Sequence, residues 1–166
     1  MDTGKIVREI LSEYALPARG RHGVDHWARV LENGLRLAES TGANVRVVTL
    51  FALFHDSRRV NEHLDEGHGL RGGEFAKSLR TRLFDLEDSE FDLFYKACHF
   101  HTDGYTEGDV TLQTCWDADR LDLARAGISP RSDLLCTPSA RQLIEWGNQR
   151  ALDKYVPEIV TKVWEV

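Results

Sequence analysis

The sequence predicts an all-α protein that forms a single domain around one buried helix. Residues 50–54 are all apolar, and neither glycine nor proline occurs in the segment 45–56, which favours a helix that is buried on every side. Elsewhere apolar residues recur every three or four positions, and no stretch alternates as a half-exposed strand would. With only four prolines, no repeat and no low-complexity segment, we expect no linker and one domain over residues 1–166.

Capping and breaking residues set the expected helix bounds. In chain order, the predicted helical segments are residues 3–14, 25–40, 45–58, 72–83, 88–102, 109–124, 139–146 and 151–166, the last with an interruption at Pro157. Asp25, either Asp88 or Ser89, and Ser139 are the expected N-caps. The polar segment 61–69 is expected to form a loop.

Composition excludes several classes of function. The formal net charge of −6 argues against a broad nucleic-acid surface, so no extended nucleic-acid partner is expected. The charged N-terminal segment does not resemble a signal peptide, and the longest apolar run is far too short to cross a membrane. Cys98, Cys115 and Cys136 are widely spaced, which predicts free, buried thiols in a reducing compartment. A cytoplasmic location without membrane contact is therefore expected.

The predicted central helix ends on two adjacent polar residues, His55 and Asp56. A buried histidine beside a buried carboxylate needs partners, because an unpaired charge inside a protein is costly. His26 and Asp117 lie on two other predicted helices, and histidine with carboxylate suits a divalent metal ion. A hydrogen-bonded His-Asp pair in the core is the alternative interpretation, and Asp119 competes with Asp117 because each has an apolar neighbour in the sequence.

The ordered set of His26, the doublet His55-Asp56, and Asp117 in the run DADRLD resembles the HD-domain superfamily of metal-dependent phosphohydrolases. The resemblance covers roughly residues 20–125. Within the superfamily, the sequence looks like a small stand-alone bacterial branch. It implies a helical bundle whose buried central helix carries the doublet, and hydrolysis of a small phosphorylated metabolite. Many members follow the doublet with a hydrophobic residue, glycine and lysine, whereas here Ser, Arg and Arg follow it, so substrates of better-known branches do not transfer.

Some branches of this superfamily bind a second metal through two further histidines. The matching positions here are His68 and either His99 or His101. His101 shares one helix face with apolar residues, which predicts that His101 points inward and His99 outward. The resulting candidate ligands are His26, His55, Asp56, His68, His101 and Asp117. They would hold one or two divalent ions (Mn, Mg, Co, Ni, Zn or Fe), with Asp56 as the bridge.

Further roles are assigned to charged residues near these ligands. Arg58, Arg59 or Arg120 could bind a phosphate, and Asp119 or Asp122 could orient a ligand histidine. The catalytic candidates are Asp56, Asp117, Arg59 and Arg120. His22 and His63 are expected to be solvated or to line the mouth of the pocket.

The leading functional hypothesis is a metal-dependent phosphohydrolase whose substrate is a small phosphorylated metabolite, with a nucleotide as the expected class. Two alternatives stay open: an HD-fold di-iron oxygenase, which the six-ligand set permits, and a non-catalytic nucleotide-binding module. The oligomeric state is open, with a homodimer as one option.

Overall fold

Helix α3 (Val45–Phe54) lies at the centre of the molecule, with residues 47–54 buried throughout. The computed structural model describes all 166 residues. Four helices pack around α3: α2 (Val24–Thr41), α4 (His68–Leu79), α5 (Asp88–Phe100) and α6 (Val110–Arg120). No strand forms, so the predicted all-α fold with a buried central helix is confirmed.

Shorter elements complete the fold on the outside of this arrangement. They are α1 (Thr3–Ser12), the 3-10 helices Leu123–Ala126 and Ser132–Leu134, α7 (Pro138–Gln142), α8 (Ile144–Leu152) and α9 (Glu158–Lys162). Helix α1 packs on α3, while α7 and α9 pack on α2. None of the helices combines the length and hydropathy that a bilayer crossing requires. The cytoplasmic location stays a prediction.

The central helix is shorter than expected and ends at Phe54, four residues before the predicted end. The Phe54 carbonyl accepts hydrogen bonds from the Ser57 amide at 3.1 Å and the Ser57 hydroxyl at 2.8 Å, which close a tight turn. The doublet therefore lies in this turn, and the changed chain direction lets both its side chains face the same interior space.

Helix α4 begins at His68 rather than Gly72, because Gly67 adopts a left-handed conformation (φ 74°) and turns the chain there. His68 is thus the first helical residue and not part of a loop. Gly69 and Gly72 let α4 approach its neighbours closely: a Cβ at Gly69 would lie 2.0 Å from the Cys98 carbonyl oxygen. This close approach brings the start of α4 against the end of α5.

Several predicted caps are wrong by one or two residues. Gly23, not Asp25, precedes α2, and Glu87 precedes α5 in a reciprocal capping box with its third helical residue. Thr137, not Ser139, caps α7 through its side chain. The predicted helix 109–124 stops at Arg120 and continues as a 3-10 helix after a turn.

All three cysteines are free, as expected. Cys98 and Cys115 are buried, but the prediction for Cys136 is wrong, because its side chain is only half-buried. Cys136 lies in the segment before α7 rather than inside a packed helix.

Candidate metal centre

Four buried histidine rings from four parts of the fold point their Nε2 atoms at one interior space. In each ring, Nδ1 contacts an acceptor: Asp122 Oδ2 for His26 (2.7 Å), the Phe51 carbonyl for His55 (3.1 Å), the Asp65 carbonyl for His68 (2.5 Å) and the Cys98 carbonyl for His101 (2.7 Å). Carbonyl and carboxylate oxygens only accept hydrogen bonds, so Nδ1 carries the proton in every ring. In its neutral form each ring therefore presents an Nε2 lone pair, and this is the form that binds a metal ion.

The rings form two pairs, and Asp56 lies between them. His26 and His55 bring their Nε2 atoms within 3.1 Å of each other, and His68 and His101 within 3.0 Å. Asp56 Oδ2 lies 3.4 and 3.6 Å from the first pair, and Oδ1 lies 3.1 and 3.8 Å from the second. One carboxylate thus offers one oxygen to each pair, which is the arrangement of a bridging ligand.

Asp119 completes the first group of ligand atoms. Its Oδ1 lies 3.4 Å from His26 Nε2 and 3.7 Å from His55 Nε2. The Oδ1 atoms of Asp56 and Asp119 are both buried without a hydrogen-bond partner, which is costly unless a cation is bound nearby. Lone pairs that face each other, unpartnered carboxylate oxygens and a nitrogen-and-oxygen donor set fit a divalent cation.

The structure contradicts the placement of Asp117 at this site. Its two carboxylate oxygens accept hydrogen bonds from the Cys136 amide (2.7 Å), the Thr137 amide (2.8 Å) and the Thr137 hydroxyl (2.8 Å). Asp117 therefore fixes the start of α7, and Asp119 rather than Asp117 faces the histidines. Because Asp117 does not face the histidines, the catalytic role predicted for it is not supported either.

Of the predicted phosphate-binding arginines, only Arg59 reaches the ligand atoms. Its Nη1 lies 3.5 Å from Asp56 Oδ1 and 3.1 Å from His68 Nε2. Arg58 is directed away, where it pairs with Glu13 at 2.7 Å and stacks on a phenylalanine. Arg120 donates to the carbonyls of Leu134 and Tyr105, both at 2.7 Å, and so joins two loops beside the site. Its contact with phosphate stays a prediction.

Arg125 is a site residue that the sequence reasoning missed. Its Nη2 lies 3.9 Å from Asp56 Oδ2 and 4.0 Å from Asp119 Oδ1. It belongs to the 3-10 helix after α6, so the helical periodicity of α6 gave no signal for its direction.

A second layer of charge holds His26 in place. Asp122 accepts from the His26 ring and from Arg29, whose Nε donates to Oδ1 at 2.7 Å and whose Nη2 donates to Oδ2 at 3.0 Å. Arg29 also donates to the Tyr155 carbonyl at 3.0 Å. Asp119 and Asp122 were the two residues expected to orient a ligand histidine, and Asp122 is the one that holds the His26 ring through Nδ1. The spacing of three between His26 and Arg29 was a usable signal, because it places both on one helix face.

Replacing Asp122 with asparagine is expected to weaken metal binding by about 10–100-fold, because the ring of His26 loses its charged partner and becomes a poorer ligand. Titration of the metal-free protein with Mn²⁺ measures the affinity. Asp153→Asn, an exposed carboxylate on α8's C-terminal end, is the matched control and should leave the affinity unchanged. Equal affinities in the two variants would contradict the assigned role.

The other histidines lie in three different environments. His22 is buried and hydrogen-bonded to Glu62, so the expectation that it is solvated is wrong. His63 is exposed, as expected. His101 is buried, whereas the half-buried ring of His99 stacks on Phe100, which confirms the choice of inward face. The role of His101 as a ligand stays a prediction.

A cavity of about 330 Å³ opens beside the ligand atoms. His101 and Asp119 form part of its wall, together with Arg120. The wall also contains a group of apolar side chains: Leu123, Ile128, Pro130, Leu134 and Leu135. The cavity can therefore receive a molecule with an apolar part whose other end reaches the histidines.

The metal-free site holds one proton that a cation would have to replace. Burial lowers the pKa of His55 to about 3, so its ring is neutral. Burial also opposes protonation of His26, but contacts with three carboxylates, those of Asp119, Asp122 and Asp56, outweigh it and raise its pKa to about 9. Since Nδ1 already donates to Asp122, the additional proton lies on Nε2, which faces the other ligand atoms.

Metal binding near neutral pH should therefore release about one proton per chain. Below the pKa of about 9, His26 must lose its proton before it can bind a cation, so the apparent affinity should rise by about tenfold per pH unit up to that value. Calorimetric titration with Mn²⁺ in buffers of different ionisation enthalpy measures the released proton. His26→Gln should abolish the release, and an affinity independent of pH between 6 and 8 would contradict this interpretation.

Comparison with known proteins agrees with these observations. Ribonuclease Y of Rubrobacter xylanophilus is 32% identical over 109 residues, which are 65% of this chain and 20% of that protein. The chain thus spans about a fifth of the length of this curated relative. The crystal structure of a predicted HD superfamily hydrolase from an uncultured Thermotogales bacterium matches with a TM-score of 0.66 and 27% identity, over 90% of this chain and 85% of that one. No family model matches the chain.

The helical fold is that of the predicted HD superfamily hydrolase, and the buried histidine-aspartate cluster has the donor atoms to hold a divalent metal ion. In both fold and sequence the chain is similar to the predicted HD superfamily hydrolase. The resemblance found in the sequence is thereby confirmed, with Asp119 in the position first given to Asp117.

Proposed function

We propose that the protein is a metal-dependent phosphohydrolase that acts on a small phosphorylated metabolite of the nucleotide class. The observation that carries this proposal is the position of Asp56, which offers one oxygen to each of two histidine pairs. Two cations on either side of one carboxylate suit displacement at phosphorus, because both can neutralise phosphoryl oxygens. The structural match to a predicted HD superfamily hydrolase supports the reaction class.

The ligand sets divide between the two positions. His26, His55, Asp56 and Asp119 would hold one ion, and the second would be held by Asp56, His68 and His101. Bound there, a divalent ion lowers the pKa of a coordinated water and withdraws charge from a phosphoryl group.

The remaining residues of the site position the substrate. Arg59 and Arg125 approach Asp56 from two sides, and their N–H groups can donate to phosphoryl oxygens as charge-assisted hydrogen bonds. The cavity beside His101 and Asp119 takes the organic part, and its apolar wall suits a base better than a bare sugar. These contacts support the nucleotide class.

The test is phosphate release by the reconstituted protein. Metal-free protein is loaded with Mn²⁺, Co²⁺, Mg²⁺ or Zn²⁺ and assayed with nucleoside mono-, di- and triphosphates, sugar phosphates and a short RNA. The RNA is included because ribonuclease Y is by name a ribonuclease. We expect metal-dependent release from nucleotides that His55→Ala abolishes. No release from any substrate by fully loaded protein would overturn the proposal.

A di-iron oxygenase is the second candidate, because four histidines and a bridging carboxylate also suit two irons. Aerobic purification with two irons per chain and substrate-dependent oxygen consumption would favour it. Phosphate release with a redox-inert ion such as Mg²⁺ would exclude it. Stabilisation by a nucleotide without any turnover would instead favour a non-catalytic binding module.

A further inference from the structure

A second cavity, of about 360 Å³, is lined in part by residues of the 3-10 helix Leu123–Ala126. Its charged lining residues are Arg19, Arg21, Arg29, Arg125, Lys154 and one acid, Asp25. Five cations face one acid here, although the whole chain has a formal charge of −6. We call this the basic pocket; such a local concentration of one sign of charge attracts anions.

Internal ion pairs account for only part of this positive charge. Arg19 pairs with Asp25 at 2.9 Å, and Arg29 binds Asp122 through two nitrogens. Arg21 and Lys154 form no ion pair and no side-chain hydrogen bond. Two cations of the basic pocket are therefore available to a ligand.

Arg125 connects the basic pocket with the candidate metal centre. Its Nε donates to the Arg21 carbonyl at 3.1 Å and its Nη1 to the Asp122 carbonyl at 3.0 Å, which fixes the guanidinium plane. Its Nη2 makes no hydrogen bond and lies 3.9 Å from Asp56 Oδ2. The same side chain thus lines the pocket and faces the ligand atoms, so an anion in the pocket would lie next to the centre.

The backbone at Lys154 supports a role for its side chain. Lys154 follows α8 with a φ of 52°, a left-handed conformation that glycine adopts at much lower cost at this position after a helix. This backbone conformation holds Lys154 at the edge of the basic pocket.

We propose that the basic pocket binds a second phosphate group of the ligand whose first phosphate lies at the metal centre. The substrate class would then be molecules with two or more linked phosphates, such as nucleoside di- or triphosphates. The identity of the reacting phosphate rests on the proposed function, whereas anion binding by the pocket does not. Three cations, Arg21, Arg125 and Lys154, surround the space, and their N–H groups match the several oxygens of a diphosphate.

Binding of inorganic diphosphate to metal-free protein in the presence of a chelator tests the pocket without any turnover. We expect Arg21→Gln/Lys154→Gln to weaken binding at least tenfold in a calorimetric titration. The matched control is Arg82→Gln/Lys96→Gln, which removes the same charge from exposed positions outside the pocket and should leave binding unchanged. Equal binding by both double variants, or no binding by the original protein, would overturn the inference.

Steady-state kinetics with metal-loaded protein then connect the pocket to the substrate. For one nucleoside, the pocket variant should raise KM for the diphosphate at least tenfold and leave KM for the monophosphate unchanged. An equal effect on both substrates would overturn the assignment to a second phosphate. If diphosphate binds to the pocket but no substrate is turned over, the proposed function fails and the anion site stands.

Discussion

Asp56→Asn is expected to remove metal from both histidine pairs and to reduce phosphate release by at least about 1000-fold. Asparagine keeps the size of the side chain but loses the charge, and only one of its two terminal atoms can bind a cation. Because Asp56 Oδ2 faces one histidine pair and Oδ1 the other, a single substitution affects both positions. Elemental analysis and a phosphate-release assay on the same preparation measure the two effects.

The melting temperature of the metal-free protein is the control for Asp56→Asn. The substitution removes one partner of protonated His26, so below pH 9 the metal-free variant should melt somewhat lower than the metal-free original protein but remain folded. A variant that keeps two ions per chain would contradict the bridging role. An Asp56→Asn variant that is unfolded without metal would show that Asp56 is needed for the fold itself.

The second large effect separates two aspartates that are two positions apart in α6. Asp119→Asn should lose metal affinity and activity but cost the metal-free protein less stability than Asp117→Asn does, because Asp119 Oδ1 faces the histidines without a hydrogen-bond partner. Asp117→Asn should keep the metal affinity but lower the stability of the metal-free protein. It weakens three hydrogen bonds at the start of α7, at a cost of about 3 kcal/mol, or roughly 6–12 °C in melting temperature.

Each variant serves as the control for the other, since both replace an acid on the same helix, Asp117 fully buried and Asp119 slightly exposed. Differential scanning calorimetry gives the melting temperature of each metal-free variant, and metal titration gives the metal affinity of each. Loss of metal in Asp117→Asn with metal retained in Asp119→Asn would restore the original sequence assignment and contradict the site described above.

Local patterns in the sequence were sufficient to predict the central helix and the doublet at its end. A continuous apolar run can only be satisfied by burial on all sides, and two polar residues at its end must then have partners. The choice of His101 over His99 also followed from local periodicity, because the face of α5 that His101 extends is apolar.

The choice between Asp117 and Asp119 could not follow from local pattern. Residues two positions apart in a helix point in directions about 200° apart, so only one of the two aspartates can face the histidines. Both have an apolar neighbour in the sequence, so the pattern does not choose between them. The deciding contact is with the backbone of Cys136 and Thr137, in a segment whose position depends on the whole fold. For the same reason the burial of His22 was missed, because its partner Glu62 is 40 residues away in the chain.

Arg125 shows a different limit of sequence reasoning. Its direction depends on the turn that ends α6 at Arg120 and starts a 3-10 helix at Leu123. A continuous helix through residue 124, as the sequence predicted, would have given no reason to place this arginine between the metal centre and the basic pocket.

An anomalous difference map from crystals grown with Mn²⁺ tests the central claim most directly. We expect two peaks, one between His26, His55 and Asp119 and the other between His68 and His101, with an oxygen of Asp56 bound to each. A map without a peak at these histidines, or with a single peak that Asp56 does not touch, would contradict it.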